Sequence, residues 1–345
     1  MGAAPSPSCR WRAAPARRAR GELARVRRRR DAAAGQDRGR RAPGRTRRPV
    51  RGTAGGRLSA HEPQPACVSR PQDRAEAARL GRLAIASLHA ELALAPKPGL
   101  VTPSDAGSHA DMDARTFWRS LAALRGYFEA VAQAGLAQAP FDALRRLGLR
   151  AEDAMLRATD GINTHRGAIF SLGLLTAAAA RLRRIERGPV TAEAVCHAVS
   201  DWRAALETAP LDPDSPGQRM RRAHRVAGVR EQAVEGFPLL REAALPALWD
   251  AQRAGHAPTA AQAHVLMTLV ARVDDLNLLH RGGTEGLRFA QRQARAFLAR
   301  GSVWQPDWEA RLETVGEAFV ARRLSPGGSA DLLACTLFLD RQARA

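Results

Sequence analysis

Five polar stretches interrupt a chain otherwise dominated by Ala and Leu, and each holds residue types that can do chemistry. The first joins Glu91 to Pro96-Lys97-Pro98-Gly99-Leu100-Val101 and continues through Asp105, Gly107, Ser108, His109, Asp111 and Asp113. Lys97 is the only lysine among 54 basic residues, and an ammonium suits phosphate as a compact point charge. Prolines fix the backbone there, while Gly99 and Gly107 permit close approach of a ligand. The second stretch, Thr159 to Phe170, contains Gly161, Asn163, Thr164, His165, Arg166 and Gly167 and opens directly into a helical pattern. Free backbone N–H groups and the helix dipole then face whatever binds at that start. The third, Gly228 to Pro238, places Arg230 and Glu235 around a helix end closed by Gly236 and Pro238.

In the fourth stretch, Asp274-Asp275-Leu276-Asn277 leads to His280-Arg281-Gly282-Gly283. Adjacent carboxylates at the end of an apolar helix meet the negative pole of its dipole, so they call for a cation, Mg²⁺ or arginine. Asp274 shares a face with Asn277, and Asn277 with Arg281. The fifth, Ser325-Pro326-Gly327-Gly328-Ser329-Ala330-Asp331, is again a glycine turn into a helix start. Each stretch has a plain structural alternative: a surface lysine, an N-cap at Asn163 or Thr164, a solvated turn, a packed histidine. Together, however, glycine-preceded helix starts, isolated cations and Asp-rich helix termini are the parts of a site for a polyphosphate and its Mg²⁺. The strand-associated phosphate loops G-x-x-x-x-G-K-[ST] and G-x-G-x-x-G are missing, and so is a G-x-S-x-G elbow. On the residues alone, the reading stops at a helical enzyme acting on a nucleotide or phosphorylated substrate.

The elements that must position these stretches are helical almost throughout. Apolar periodicity predicts helices near 75–94, 114–134, 140–158, 165–185, 191–207, 218–233, 238–254, 259–280, 284–299, 307–323 and 329–342. Asp113, Thr191, Thr259 and Ser329 stand where N-caps belong. The helix at 259–280, apolar through Val265, Leu266, Leu269, Val270, Val273 and Leu276, is expected at the centre. The expected fold class is therefore all-α: a single multi-helix domain over 75–345, preceded by an Arg-rich extension over 1–74.

The formal charge of +20 belongs mostly to that extension, where 20 Arg face five acids. A segment so basic and so poor in apolar residues is expected to be disordered. It could serve as an RNA-binding or targeting arm. Its Ala/Arg/Gly/Pro content, which GC-rich DNA encodes in almost any frame, reads at least as well as a non-native extension. The folded part lacks a basic stripe with interleaved aromatics and has only one Tyr, so no nucleic-acid binding is expected of it. No apolar run approaches a bilayer span, so no membrane association is expected. The four Cys are too far apart for a zinc site or disulfide framework, which points to a reducing cytoplasm.

Along the five stretches, in order and over about residues 78–342, the sequence resembles the triphosphoribosyl-dephospho-CoA synthases that serve citrate lyase and malonate decarboxylase. The resemblance rests on Glu91 with Pro96 to Val101, Gly107 to Asp113 with Phe117 and Ser120, Gly161 to Phe170, Gly228-Val229-Arg230 to Pro238, Asp274 to Gly283, and Ser325 to Leu339. Val229, Arg166 and Asp275 depart from the residues common in that family. The resemblance implies attack of the 2′-hydroxyl of 3′-dephospho-CoA on ribose C1 of ATP, with adenine expelled. The product is a prosthetic-group precursor passed towards an acyl carrier protein.

On that basis Lys97, Arg166, Arg230 and Arg281 are expected on phosphates, with Gly99, Asn163, Thr164, Gly167, Gly282, Gly327 and Gly328 shaping the substrate site. Asp274, Asp275 and Asn277 are expected to hold Mg²⁺, with Asp111 and Asp113 as second candidates. Glu91 or Glu235 is expected as base, and His109 or His165 as the acid toward adenine. The rival readings are a helical nucleotide hydrolase that admits water, and nucleic-acid binding through the basic arm.

Overall fold

The computed structural model describes residues 70–185, 188–210, 216–224 and 226–344, so the expected disorder of the extension falls, up to residue 69, outside the described residues. The described part is all-α, with thirteen α-helices and no strand among the described residues. Its first helix, α1 (Pro71–Ala93), begins four residues earlier than the apolar pattern suggested, because Pro71 is pre-set for a first helical turn. The helix ends before Pro96, and the Pro/Gly segment through Thr102 leads to α2 (Ala114–Leu136). Asp113 starts α2 as expected: its Oδ1 accepts the Thr116 N–H, and Thr116 reciprocates in a capping box.

Next come α3 (Phe141–Ala158) and α4 (Arg166–Ile185). Small residues let α2 and α4 pack closely: Ala177 to Ala180 are fully buried, and a Cβ on Gly135 would meet the Ala177 carbonyl at 2.3 Å. The expected helix at 191–207 divides at Asp201–Trp202 into α5 (Ala192–Ser200), capped by Thr191, and α6 (Arg203–Thr208). The segment expected at 218–233 likewise divides into α7 (Pro216–His224) and α8 (Val229–Val234), with Gly228 capping the second. A π-helical turn at Leu240–Ala244 leads into α9 (Leu245–Arg253).

The central helix is shorter than its apolar pattern. It runs as α10 (Pro258–Val270), started by Pro258 rather than by a Thr259 cap. The chain then turns at Ala271–Arg272 and re-enters helix as α11 (Leu276–Ala299), kinked at Gly283 where φ is +58°. The last helices are α12 (Trp308–Ala321) and α13 (Gly327–Arg344). α13 is the axis of the fold, packed on α1, α4 and α10 and buried from Leu332 through Leu339. No helix among the described residues is long and apolar enough to cross a membrane.

Candidate active site

One cleft of about 1200 Å³ is lined by residues from all five polar stretches. That is above the ~300–1,000 Å³ usual for a single small ligand, so it has room for two substrates. Glu91, Lys97, His109, Asp111, Asn163, Thr164, His165, Arg166, Gly167, Arg230, Asp274, Asp275, Asn277, Arg281, Gly327 and Gly328 all reach its wall. Four expected residues do not. Glu235 is the exposed C-cap of α8 and lies off the cleft wall, so it is poorly placed as a base. Asp113 spends its carboxylate on the α2 capping box. Gly99 and Gly282 pack against Leu324, a Cβ on Gly99 falling 2.1 Å from the Leu324 carbonyl. Their missing side chains admit the protein's own backbone and core rather than a ligand.

Among the lining residues, Lys97 and Glu91 form a buried ion pair, with Lys97 Nζ donating to Glu91 Oε1 at 2.7 Å and to the Glu91 carbonyl at 2.8 Å. The lysine side chain is 1% exposed. Two of its three N–H donors are therefore engaged, and its charge is compensated before any phosphate arrives. Burial pulls the Lys97 ammonium down from its ordinary range, and Glu91 pulls it back up.

The glycine-preceded helix starts are filled by the protein's own polar groups. Asp275 is the N-cap of α11 and not a carboxylate at a helix C-terminus: its Oδ1 accepts the Asn277 and Leu278 N–H groups at 2.9 and 3.4 Å. Its Oδ2 accepts the Ser329 N–H at 2.9 Å and the Ser329 hydroxyl at 3.1 Å, so one carboxylate ties the starts of α11 and α13 together. A Cβ on Gly328 would crowd that carboxylate at 3.2 Å, and one on Gly327 would meet Asn277 Nδ2 at 2.7 Å. At the start of α4, a Cβ on Gly167 would fall 2.1 Å from Asp331 Oδ2. The Ala168 N–H lies near the same carboxyl and weakly favours its charged form. Asn163 caps the same helix, its Oδ1 accepting the Arg166 N–H at 3.1 Å. The backbone donors expected for phosphate are thus partly taken by acids.

The histidines differ in what they have left. Arg281 Nη2 donates to His109 Nδ1 at 2.9 Å, so the His109 proton sits on Nε2 and is donated to Ser325 Oγ at 2.8 Å. Both ring nitrogens are engaged, and burial with Arg281 nearby holds His109 below its ordinary pKa. Arg281 also donates to the Ser108 and Arg323 carbonyls, pinning the two loops together. His165 is 2% exposed, bonds Ser120 Oγ through Nδ1 at 2.7 Å and meets the Phe117 ring edge-on at 5.0 Å. Its Nε2 and the neighbouring Thr164 Oγ1 are buried without a partner. Burial and Lys97 push His165 down to about 3, so it is a neutral imidazole at ordinary pH.

Residues that sequence reasoning passed over complete the wall. Asp331 is the chief one: burial and the Glu91 and Asp275 carboxylates raise it well above the ordinary aspartate range. Its only advance signal was a carboxylate one turn into a helix beginning Gly-Gly. Arg145 and Arg221, also on the cleft wall, stand close enough to Arg230 to repel it, although Arg221 pairs with Glu231 and Arg230 donates to the Ala209 carbonyl at 2.8 Å. Arg166 faces Glu152 at 3.1 Å across the rim.

For a metal, the described residues hold no group of three or more His, Cys, Asp or Glu side chains. A Mg²⁺ carried by a nucleotide needs only one or two carboxylates beside the phosphates. Asp274, exposed on the cleft wall with one oxygen 3.5 Å from Gln291 Nε2, and the exposed Asn277 fit that demand, as does the exposed Asp111. Asp275 does not, since donors already occupy both its oxygens.

Residues 77–345 match the CitG family, described as "ATP:dephospho-CoA triphosphoribosyl transferase". Among similar proteins is a probable 2-(5''-triphosphoribosyl)-3'-dephosphocoenzyme-A synthase of Acinetobacter calcoaceticus, 37% identical over 76% of this chain and 90% of the relative. Proteins of the same name from Stutzerimonas stutzeri (42% identical; 77% of this chain, 92% of the relative) and Vibrio cholerae (36%; 74% and 86%) are also similar. No solved structure matches the chain.

Proposed function

The chain belongs to the ATP:dephospho-CoA triphosphoribosyl transferase family, and from that premise we propose how its cleft carries the reaction. The enzyme joins ATP to 3′-dephospho-CoA, giving 2′-(5″-triphosphoribosyl)-3′-dephospho-CoA and free adenine. The 2′-oxygen of dephospho-CoA bonds to C1 of the ATP ribose as the C1–N9 bond breaks, its electron pair leaving with adenine.

The observation that carries the assignment of roles is the charge gathered on one cleft: a buried lysine–glutamate pair, further carboxylates and several arginines share its wall. Arg145, Arg166, Arg221 and Arg230 form the cationic wall for the triphosphate and the dephospho-CoA pyrophosphate. Arg145 and Arg221 both repel Arg230, and the bound anion relieves that repulsion. Lys97 keeps one N–H for a phosphate or ribose oxygen and holds Glu91 in place. Glu91 meets Lys97 through Oε1 and takes the hydroxyl proton as general base. Asp274 and Asn277, with Asp111 in reserve, would hold Mg²⁺, which when bound neutralises triphosphate charge. His109 and Arg281 fix the loop walls.

The product then passes to an acyl carrier protein of a malonate decarboxylase or citrate lyase. Unbridged buried thiols at Cys196 and Cys335 and nucleotide substrates support a cytoplasmic setting. To test the reading, the protein is mixed with ATP, Mg²⁺ and dephospho-CoA, and adenine and the product mass are followed. Adenine release only when dephospho-CoA is present is expected. ADP or free ribose triphosphate from ATP alone, at the same rate, would mean a hydrolase instead.

A further inference from the structure

In the synthase reaction, adenine departs poorly as an anion, so the leaving side needs a proton donor. The histidines expected there cannot supply it. Both His109 nitrogens are bonded, with the Nε2 proton given to Ser325. His165 is a buried neutral ring. Yet the entry to α4 is built for a ligand: just before its first turn, Thr164 Oγ1 and His165 Nε2 are buried and unpartnered, beside the Phe117 ring on the cleft wall. Buried polar atoms are almost always bonded, so two orphans side by side mark a place where a ligand supplies the missing partners. An aromatic edge with two adjacent orientable polar atoms matches a purine, which offers a flat ring with alternating donors and acceptors.

Over the first turn that follows stands Asp331. Gly167 lacks a side chain where one would collide with the Asp331 carboxyl at 2.1 Å, so the carboxyl sits directly against the start of α4. We propose, building on the synthase reading, that the entry to α4 seats the departing adenine and that the Asp331 carboxyl gives adenine its proton as the C1–N9 bond breaks. As the new C1–O bond forms, the 2′-hydroxyl proton passes to Glu91. The C1–N9 electron pair leaves with adenine, which takes the proton from Asp331. Water then reprotonates Asp331 and deprotonates Glu91, so no co-reactant is consumed.

The surroundings supply the required charge state, since burial and the Glu91 and Asp275 carboxylates favour the protonated form of Asp331. Ala168 N–H and the α4 dipole oppose it more weakly. The acid is active when protonated, so the rate falls as pH rises through its folded pKa.

The test compares wild type with Asp331→Asn, which keeps the size of the side chain over Gly167 but cannot give up a carboxyl proton. Expected for the variant are a loss of kcat of about 10²–10⁴-fold, KM values for both substrates within about threefold, and no alkaline limb in the pH profile. An ATP analogue carrying 8-azaadenine, which departs as a more stable anion, should recover most of the lost rate. In parallel, Phe117→Ala should weaken inhibition by free adenine at least tenfold while leaving KM for dephospho-CoA within about threefold. Wild type that releases no adenine with both substrates present would overturn the synthase reading itself. Wild type that does so, beside an Asp331→Asn enzyme that keeps its rate and alkaline limb or gains nothing from the better leaving group, would overturn the acid role alone. Unaltered adenine inhibition in Phe117→Ala would overturn the seat.

Discussion

Glycine and histidine are the residues whose meaning depended most on their neighbours in space. Gly167, Gly327 and Gly328 were legible as glycines that something must approach closely; what approaches is Asp331, Asn277 and Asp275. No local pattern could show this, because the approaching side chains come from segments up to 164 residues away, as Gly167 and Asp331 do. His165 was legible as a polar residue at a helix start, but its burial beside Lys97 was not. That burial has a checkable consequence. With a folded pKa of about 3 against an ordinary 6.5, His165 binds its proton in the unfolded chain before it does in the folded one. Its contribution therefore weakens the fold as pH falls from 6.5 towards 3, by up to about 1.4 kcal/mol per pH unit. His165→Gln should lose less stability over that interval than wild type in urea titrations at stepped pH. The His165 ring carbons should show no titration in NMR above pH 5; a midpoint near 6.5 would show that the ring is not sealed from solvent.

At the level of elements, the helix inventory was legible because the apolar periodicity is strong, and the joints were not. The pattern through Val265, Leu269, Val273 and Leu276 continues across a break, since Val273 and Leu276 also pack on the core. What breaks the helix is Asp275, which gains more as a cap for two helices than as a mid-helix residue. Sequence spacing therefore placed Asp274 and Asp275 on equal terms as metal ligands, while the fold separates a buried tie from an exposed carboxylate. Asp275→Ala should lose both caps and cost about 2 kcal/mol of stability, at ~1 kcal/mol per cap. It would be read as a lower urea midpoint at constant m. Asp274→Asn should leave stability unchanged and raise the Mg²⁺ concentration needed for half-maximal rate. Equal Mg²⁺ dependence in wild type and Asp274→Asn would remove Asp274 from the metal site.

For the whole molecule, net charge and catalytic charge are separate matters. Residues 1–69 carry 18 Arg against four acids, yet the family match begins at residue 77 and every residue lining the cleft lies beyond Ser87. The positive charges that matter are few and are set opposite carboxylates within the cleft. Some are compensated, as Lys97 is by Glu91, and others crowded, as Arg145 and Arg221 are against Arg230. A chain beginning at Arg70 should therefore keep kcat and both KM values within about twofold, while any retention on nucleic acid, which would fall steeply with salt, should vanish. The cut must spare the first turn of α1, where Arg74 N–H bonds the Arg70 carbonyl and Pro71 starts the helix. A chain beginning at residue 75 lacks that turn and should melt lower, with α1 fraying beside α13, on which the carboxylates of the site depend. A large loss of kcat already on removal of residues 1–69 would give the basic arm a part in catalysis that the cleft, as built, does not require.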